Sequence, residues 1–138
     1  MLGANDQPAI RVKMLPKDTN EMGTIFGGVI LSQIDLAAAV EAAKHTSNRI
    51  ATVAMREIVF REPVYVGDTV SFFTKLIKLG RTSITIRVVV EARRRTNPNL
   101  HVIVTDAEAI FVSLDDTGRP TPLGPSPLVG EPHVPPID

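Results

Sequence analysis

One stretch of this chain offers a long helix, and nearly everything after it offers only strands. Residues 25–40 are almost wholly apolar; the run includes the Gly27-Gly28 pair and ends in Ala37, Ala38, Ala39 and Val40. The pattern predicts a helix from about residue 28 to 44–47, with small residues that let a sheet or second helix pack close. A first strand is expected at 9–15, then a loop at 16–23 rich in turn formers. Four more strands are expected at 50–60, 69–79, 82–94 and 101–114. The fourth of these five is the clearest: Ile84, Ile86, Val88, Val90 and Ala92 share one face, while Ser83, Thr85, Arg87, Glu91 and Arg93 lie on the other. One helix and long strands joined by short turns is an α+β layout, an antiparallel sheet packed on a single helix. A single helix covers one side of such a sheet, and pairing two protomers edge to edge would hide an open edge. A homodimer is expected.

Asp35 sits inside that apolar helix. Gly28, Ser32 and Asp35 follow an i, i+4, i+7 spacing that stacks them on one face. Burying an ionised carboxylate without a partner costs several kcal/mol or more, so a chain seldom places one there uncompensated. Glycines allow a close approach to the backbone, and the free N–H groups of a helix N-terminus attract negative charge. An acid–base group below an oxyanion-friendly backbone points to acyl chemistry.

Several classes are excluded or disfavoured. With 138 residues the chain is long enough for one domain with a substantial core. Fifteen basic and fifteen acidic residues leave no net charge, which gives no argument for a nucleic-acid or membrane-surface partner. There is no cysteine, so disulfides, thiolate catalysis and Cys-ligated zinc are out. His45, His101 and His133 show no metal-ligand spacing. The N-terminus lacks a basic start followed by an apolar core, and polar residues interrupt the helix short of about 20 apolar positions. A cytoplasmic location is expected. Seven of the eleven prolines fall between Pro120 and Pro136. The expected division is therefore a single domain over 1–119 and a Pro-rich tail, extended or disordered, over 120–138.

The layout carries a familiar set of motifs: Asn20-Glu21-Met22-Gly23-Thr24-Ile25-Phe26-Gly27-Gly28 leading to Ser32-Gln33-Ile34-Asp35, then Thr52-Val53-Ala54, Phe60-Arg61-Glu62-Pro63-Val64, Val66-Gly67-Asp68 and Gly80-Arg81-Thr82-Ser83-Ile84. In this order the chain resembles the hotdog-fold acyl-CoA thioesterases over roughly residues 11–122, most of all the bacterial YciA-type group. The resemblance implies a helix wrapped by a curved antiparallel sheet of five to six strands. It also implies an active dimer, often a trimer of dimers, that hydrolyses acyl-CoA at the dimer interface with no metal or redox cofactor. Position by position, it makes Asp35 the helix carboxylate and Asn20 the loop amide from the opposing protomer. Gly27 and Gly28 become the helix start that polarises the thioester carbonyl. Arg81, Thr82 and Ser83 become the turn that meets the CoA phosphates and pantetheine. Apart from the resemblance, Ser32 on the helix reads either as hydrogen-bonded within the fold or as lining the site. Arg56 and Val29 depart from the pattern, where relatives often carry an acidic and an aromatic residue.

Each of these residues also has a plainer reading. Asp35 could be a structural carboxylate, Asn20 a turn former, the glycines a packing device, and Arg81 a solvated turn residue. Arg93-Arg94-Arg95 could reach a nucleotide, although a solvated strand end explains it as well. Two other functions fit the same fold. A non-catalytic acyl-CoA sensor would need an altered Asp35 or an added domain. An acyl-thioester dehydratase would need a histidine placed beside the carboxylate.

Overall fold

The period-two pattern of residues 82–94 is realised as strand β4, Ser83–Arg93, in which Ile84, Ile86, Val88, Val90 and Ala92 are fully buried. The computed structural model describes residues 6–127 and 135–136. In it β4 lies at the centre of one five-stranded antiparallel sheet. The other strands are β1 (Ile10–Lys13), β2 (Arg49–Arg56), β3 (Thr69–Leu79) and β5 (His101–Leu114), ordered β1-β3-β4-β5-β2. A single α-helix, α1 (Gly27–Ala42), crosses the sheet and packs against β3, β4 and β5. This is the one-helix, curled-sheet architecture that the hotdog resemblance implied.

Ile30, Ile34, Ala37, Ala38 and Ala42 form the buried stripe of α1 against the sheet. They meet Phe72, Ile84, Ile86, Val88, Val104, Ala107, Ala109 and Phe111 in one continuous core. Full burial of each large aliphatic side chain contributes about 1.5–3 kcal/mol. The helix is apolar on its far side too: Leu36 and Val40 are exposed. The alanines let it sit close to the strands, as expected.

Beyond trims of one or two residues at the ends of β1 and β4, three differences from the sequence reading each have a local reason. The helix ends at Ala42, where Lys44 N–H and His45 N–H bond to the carbonyls of Glu41 and Ala42 and tighten the last turn. Residues 16–23 hold a short 3₁₀ turn, Pro16–Asp18, whose Asp18 carboxylate accepts the Leu15 N–H at 2.9 Å. The strand expected at 50–60 stops at Arg56, because Glu57 takes a positive φ of 61° and turns the chain away. Residues 57–60 then cross toward the start of α1.

The loop between β2 and β3 is held by a buried ion pair. Asp68 and Arg94 meet at 2.6 Å with side chains 3% and 12% exposed. Arg94 also donates to the Pro63 carbonyl and stacks over the Tyr65 ring. Gly67 turns beside this pair at φ 89°, where an added Cβ would collide with the Arg95 side chain. Arg94 is thus structural, which corrects its reading as part of a solvated or nucleotide-reaching run; Arg93 and Arg95 are exposed.

The two sheet edges differ. β1 is four residues long and carries Arg11 and Lys13, features that discourage further pairing. β2 is eight residues long, carries Thr52, Val53 and Ala54 exposed, and has no partner on its outer side among the described residues. No helix among the described residues is long and apolar enough to cross a membrane.

Candidate functional site

Asp35 projects from the middle of α1 toward β2, where the Thr52 hydroxyl donates to its Oδ1 at 2.6 Å. The β2–β5 register slips between Thr52 and Ala54, so Val53 is an extra residue bulged out of the ladder. Bulges bend a strand and re-aim the side chains beside them. Oδ2 of Asp35 receives no donor among the described residues, which leaves one carboxylate oxygen free for proton transfer or attack. Asp35 is half-buried in the protomer rather than fully buried. Its helix face looks toward an edge strand that has no neighbour on its outer side among the described residues.

The start of α1 forms the second part. Phe26 is the N-cap and supplies no side-chain cap. Val29 N–H bonds to the Phe26 carbonyl, while the N–H groups of Gly27 and Gly28 meet no acceptor among the described residues. A Cβ on Gly28 would come within 2.6 Å of the Phe26 ring, so glycine there lets the ring lie across the first helical turn. A Cβ on Gly27 would make ordinary contact with Phe60 at 3.7 Å. Gly27, Ile25, Ile30, Phe60 and Val64 help line a cavity of about 290 Å³. Apolar walls beside free N–H groups suit a polarised carbonyl carrying an aliphatic chain.

Asn20 lies on the loop feeding this helix. Its Oδ1 accepts the N–H groups of Met22 (2.9 Å) and Thr24 (3.2 Å), and its Nδ2 donates to Thr24 Oγ1 at 2.9 Å. The plain reading as a turn former therefore holds. An amide nitrogen carries two hydrogens, so Asn20 keeps one donor in reserve. Ser32 is exposed, with its hydroxyl returned to the Val29 carbonyl at 2.8 Å.

Helical rise separates these parts. Seven residues from Gly28 to Asp35 amount to about 10 Å along the axis, too far for both to act on one carbonyl. Within one protomer the structure brings Asp35 to Thr52, and Asn20 to Thr24; it does not bring Asn20, Gly27 or Gly28 to Asp35.

The turn after β3 lies at the same end of the sheet as the start of β2. Ser83 pairs with Val112, and Val112 with Ala51, one residue from Thr52. Arg81 is exposed and makes no ion pair among the described residues. Gly80 N–H donates to the Ser83 carbonyl at 2.8 Å, and a Cβ at Gly80 would collide with Ser83 Oγ. The tight turn leaves the Arg81 guanidinium projecting into solvent.

Sequence reasoning missed Thr52 as a site residue. It lies within the Thr-Val-Ala strand motif, but its contact with Asp35 depends on where the helix, packed on β3, β4 and β5, leaves that side chain relative to the edge strand. Sequence reasoning also left Glu41 unassigned. That carboxylate accepts bonds from His45 (3.1 Å), Lys44 (3.2 Å) and Thr74 (3.2 Å), tying the helix end to β3. The carboxylate partners of His45 and His101 are Glu41 and Glu91, not Asp35. Among the described residues, which do not include His133, the pairing of histidine with Asp35 that a dehydratase would use is not formed. Arg56, the departure noted in β2, pairs with Glu108 at 3.3 Å on the outer face.

Comparison with known proteins accords with this geometry. The family model of the thioesterase superfamily matches residues 22–98. An uncharacterised acyl-CoA thioester hydrolase of Zymomonas mobilis is 41% identical over 120 residues, covering 86% of this chain and 79% of that one. The acyl-CoA thioester hydrolase YciA of Salmonella typhimurium is 35% identical over 116 residues, covering 83% and 87%. Among solved structures, a hexameric hotdog-fold thioesterase of Campylobacter jejuni superposes with a TM-score of 0.79 at 39% identity, covering 85% and 90%. One helix on a curled five-stranded sheet, the motif order and these likenesses converge: the chain belongs to the thioesterase superfamily, among its hotdog-fold, YciA-like acyl-CoA thioester hydrolases.

Proposed function

We propose that this protein hydrolyses acyl-CoA to a free fatty acid and CoA in sites shared between two protomers, with Asp35 as the reacting carboxylate. The observation that carries the reading is the Thr52–Asp35 hydrogen bond, which holds one carboxylate oxygen and leaves the other unengaged. Oδ2 takes a proton from water, and the water oxygen adds to the thioester carbonyl carbon. The carbonyl oxygen, now negative, is stabilised by backbone N–H groups at a helix start; one such donor is typically worth about 10²–10³ in rate. Collapse breaks the C–S bond, and the departing thiolate takes the proton back from Asp35. In the alternative route Asp35 attacks the carbonyl carbon and the C–S bond breaks to release CoA thiolate. Water then cleaves the mixed anhydride to the fatty acid and the Asp35 carboxylate, and the proton it gives up ends on the CoA thiolate. Neither route calls for a metal or redox cofactor.

The separation along α1 supports a two-protomer site. Antiparallel pairing at the open β2 edge would turn a partner end for end and run its helix and Asn20 loop alongside this helix. The partner's Asn20 and its Gly27-Gly28 helix start would then serve this Asp35. Such a dimer would also cover exposed Leu36, Val40 and Val53. Assembly into a trimer of dimers follows the hexameric Campylobacter relative. Arg81, with Thr82 and Ser83, takes the phosphates and pantetheine of CoA, and Ser32 lines the approach. The reading is tested by thiol release from short, medium and long acyl-CoAs, with Asp35→Ala as control. Turnover that disappears in the variant supports it. Tight acyl-CoA binding without thiol release from the native protein would make it a sensor instead.

A further inference from the structure

Residues 120–126, just beyond β5, fold back onto the domain. Pro120 bridges back to Leu114, and Thr121 N–H donates to the Ser113 carbonyl at 2.9 Å. Pro122 and Leu123 then pass between two loops that are far apart in sequence. On one side, the Leu123 carbonyl accepts from the Thr46 hydroxyl and from Asn48 Nδ2 at 3.3 Å, and the Pro122 carbonyl accepts from the same amide at 3.0 Å. On the other, Leu123 N–H donates to the Arg81 carbonyl at 3.2 Å. The Leu123 side chain packs on the core, and Ser126 Oγ donates to the Lys44 carbonyl at 2.6 Å.

This is a built docking track. Thr46 is 3% exposed and Ser113 fully buried, and buried hydroxyls are costly without partners. The Thr46 hydroxyl bonds to the Leu123 carbonyl, and Asn48 Nδ2 donates to Ser113 Oγ at 2.9 Å beside the Pro122 carbonyl. The polar groups of the loop after α1 are thus matched to the main chain of residues 122–123.

We propose that residues 120–126 form a strap that positions the Arg81 turn for the nucleotide end of acyl-CoA. The proposal rests on the CoA role given to Arg81 above. The turn has its own hydrogen bonds from Gly80 N–H to the Ser83 carbonyl and from Ser113 N–H to the Thr82 carbonyl, both at 2.8 Å. Those hold its flanks. The carbonyl of Arg81 itself is held by Leu123, which is held in turn by Thr46 and Asn48. A guanidinium on a fixed backbone loses less freedom on gripping a phosphate than one on a loose turn. Loss of the strap would therefore weaken recognition of the nucleotide end and leave the chemistry at Asp35 untouched.

The test compares acyl-CoA with the pantetheine thioester of the same acyl group, which lacks the nucleotide phosphates. Thr46→Val and Asn48→Ala break the strap's anchor without touching Arg81, and Leu123→Pro removes the N–H that holds it. Each should raise KM for acyl-CoA by about three- to tenfold while kcat and the pantetheine KM stay within about twofold. Thr46→Ser, which keeps the hydroxyl, should restore the native KM. Equal losses on both substrates, or a native KM in the folded anchor variants, would overturn the proposal. Should Leu123→Pro fail to fold, the Thr46→Val and Thr46→Ser pair decides. Arg81→Ala separates the two levels of argument. If it raises KM for acyl-CoA and the anchor variants do not, the strap inference alone fails. If Arg81→Ala leaves KM unchanged, the CoA assignment of the turn fails and the strap proposal falls with it.

Discussion

Thr52 and Asp35, seventeen positions apart, meet at 2.6 Å across the gap between an edge strand and the helix packed on the inner strands of the sheet. The hydroxyl donates and the carboxylate accepts, so Asp35 is aimed as well as present. A charged acceptor makes this bond worth about 1.5–3 kcal/mol. Thr52→Val should therefore lower kcat by about ten- to a hundredfold with a small change in KM, and Thr52→Ser should recover most of it. Steady-state thiol release measures both. Unchanged kcat in Thr52→Val would remove Thr52 from the site.

Asp35→Ala should abolish turnover and leave the fold intact. The carboxylate is half-buried with a single donor, and the freed Thr52 hydroxyl is exposed to water. Asn20→Asp is the matching variant: it keeps an acceptor for the Met22 and Thr24 N–H groups and loses the amide donor. Neither variant should be active alone. Mixed under verified subunit exchange, the two should regenerate up to about a quarter of the sites, because each mixed dimer holds one intact site. No recovery would place Asn20 and Asp35 in the same protomer's site or in none.

Arg94→Ala should destabilise the protein by about 3–5 kcal/mol, since it strands a buried carboxylate. Asp68 keeps the Tyr65 N–H at 2.9 Å but loses its only charged partner among the described residues. Urea unfolding should show the lower midpoint. The same change should loosen residues 61–64, which line the cavity at the start of α1.

Acid should weaken the fold partly through Glu41. Burial pushes its carboxyl up, but the bonds from His45, Lys44 and Thr74 outweigh burial and hold it below its ordinary value of 4.5. A depressed carboxyl contributes stability that is complete above the unfolded value and is lost as pH falls through the folded one. Between about pH 7 and 5 Glu41 should add no slope, and below about 4.5 stability should drop more steeply than in Glu41→Gln. Urea midpoints measured across that range for both proteins supply the comparison; parallel curves below pH 4.5 would exclude Glu41 as a contributor.

Much of the architecture was legible because it is written in local periodicity. The alternation of 82–94 became the central strand, 69–79 and 101–114 became strands with those limits, and the single apolar run became the single helix. Pattern could not show that Glu57 ends a strand with a left-handed backbone, since that region is open to any residue the surroundings can hold there. It could not show that Arg94 is buried while its neighbours are exposed, because its partner Asp68 lies 26 residues away.

The sequence by itself determined the fold class, the single helix, the placement of a carboxylate within it, and the motif order that marks the family. These depend on spacing along the chain, and spacing survives without coordinates. Tertiary structure decided which groups share a site. It joined Thr52 to Asp35 and matched the Thr46 hydroxyl and the Asn48 amide to the carbonyls of residues 122–123. The physical reason is common to both. Hydrogen bonds form over about 3 Å, and only the crossing of helix, sheet and strap sets which distant residues come that close.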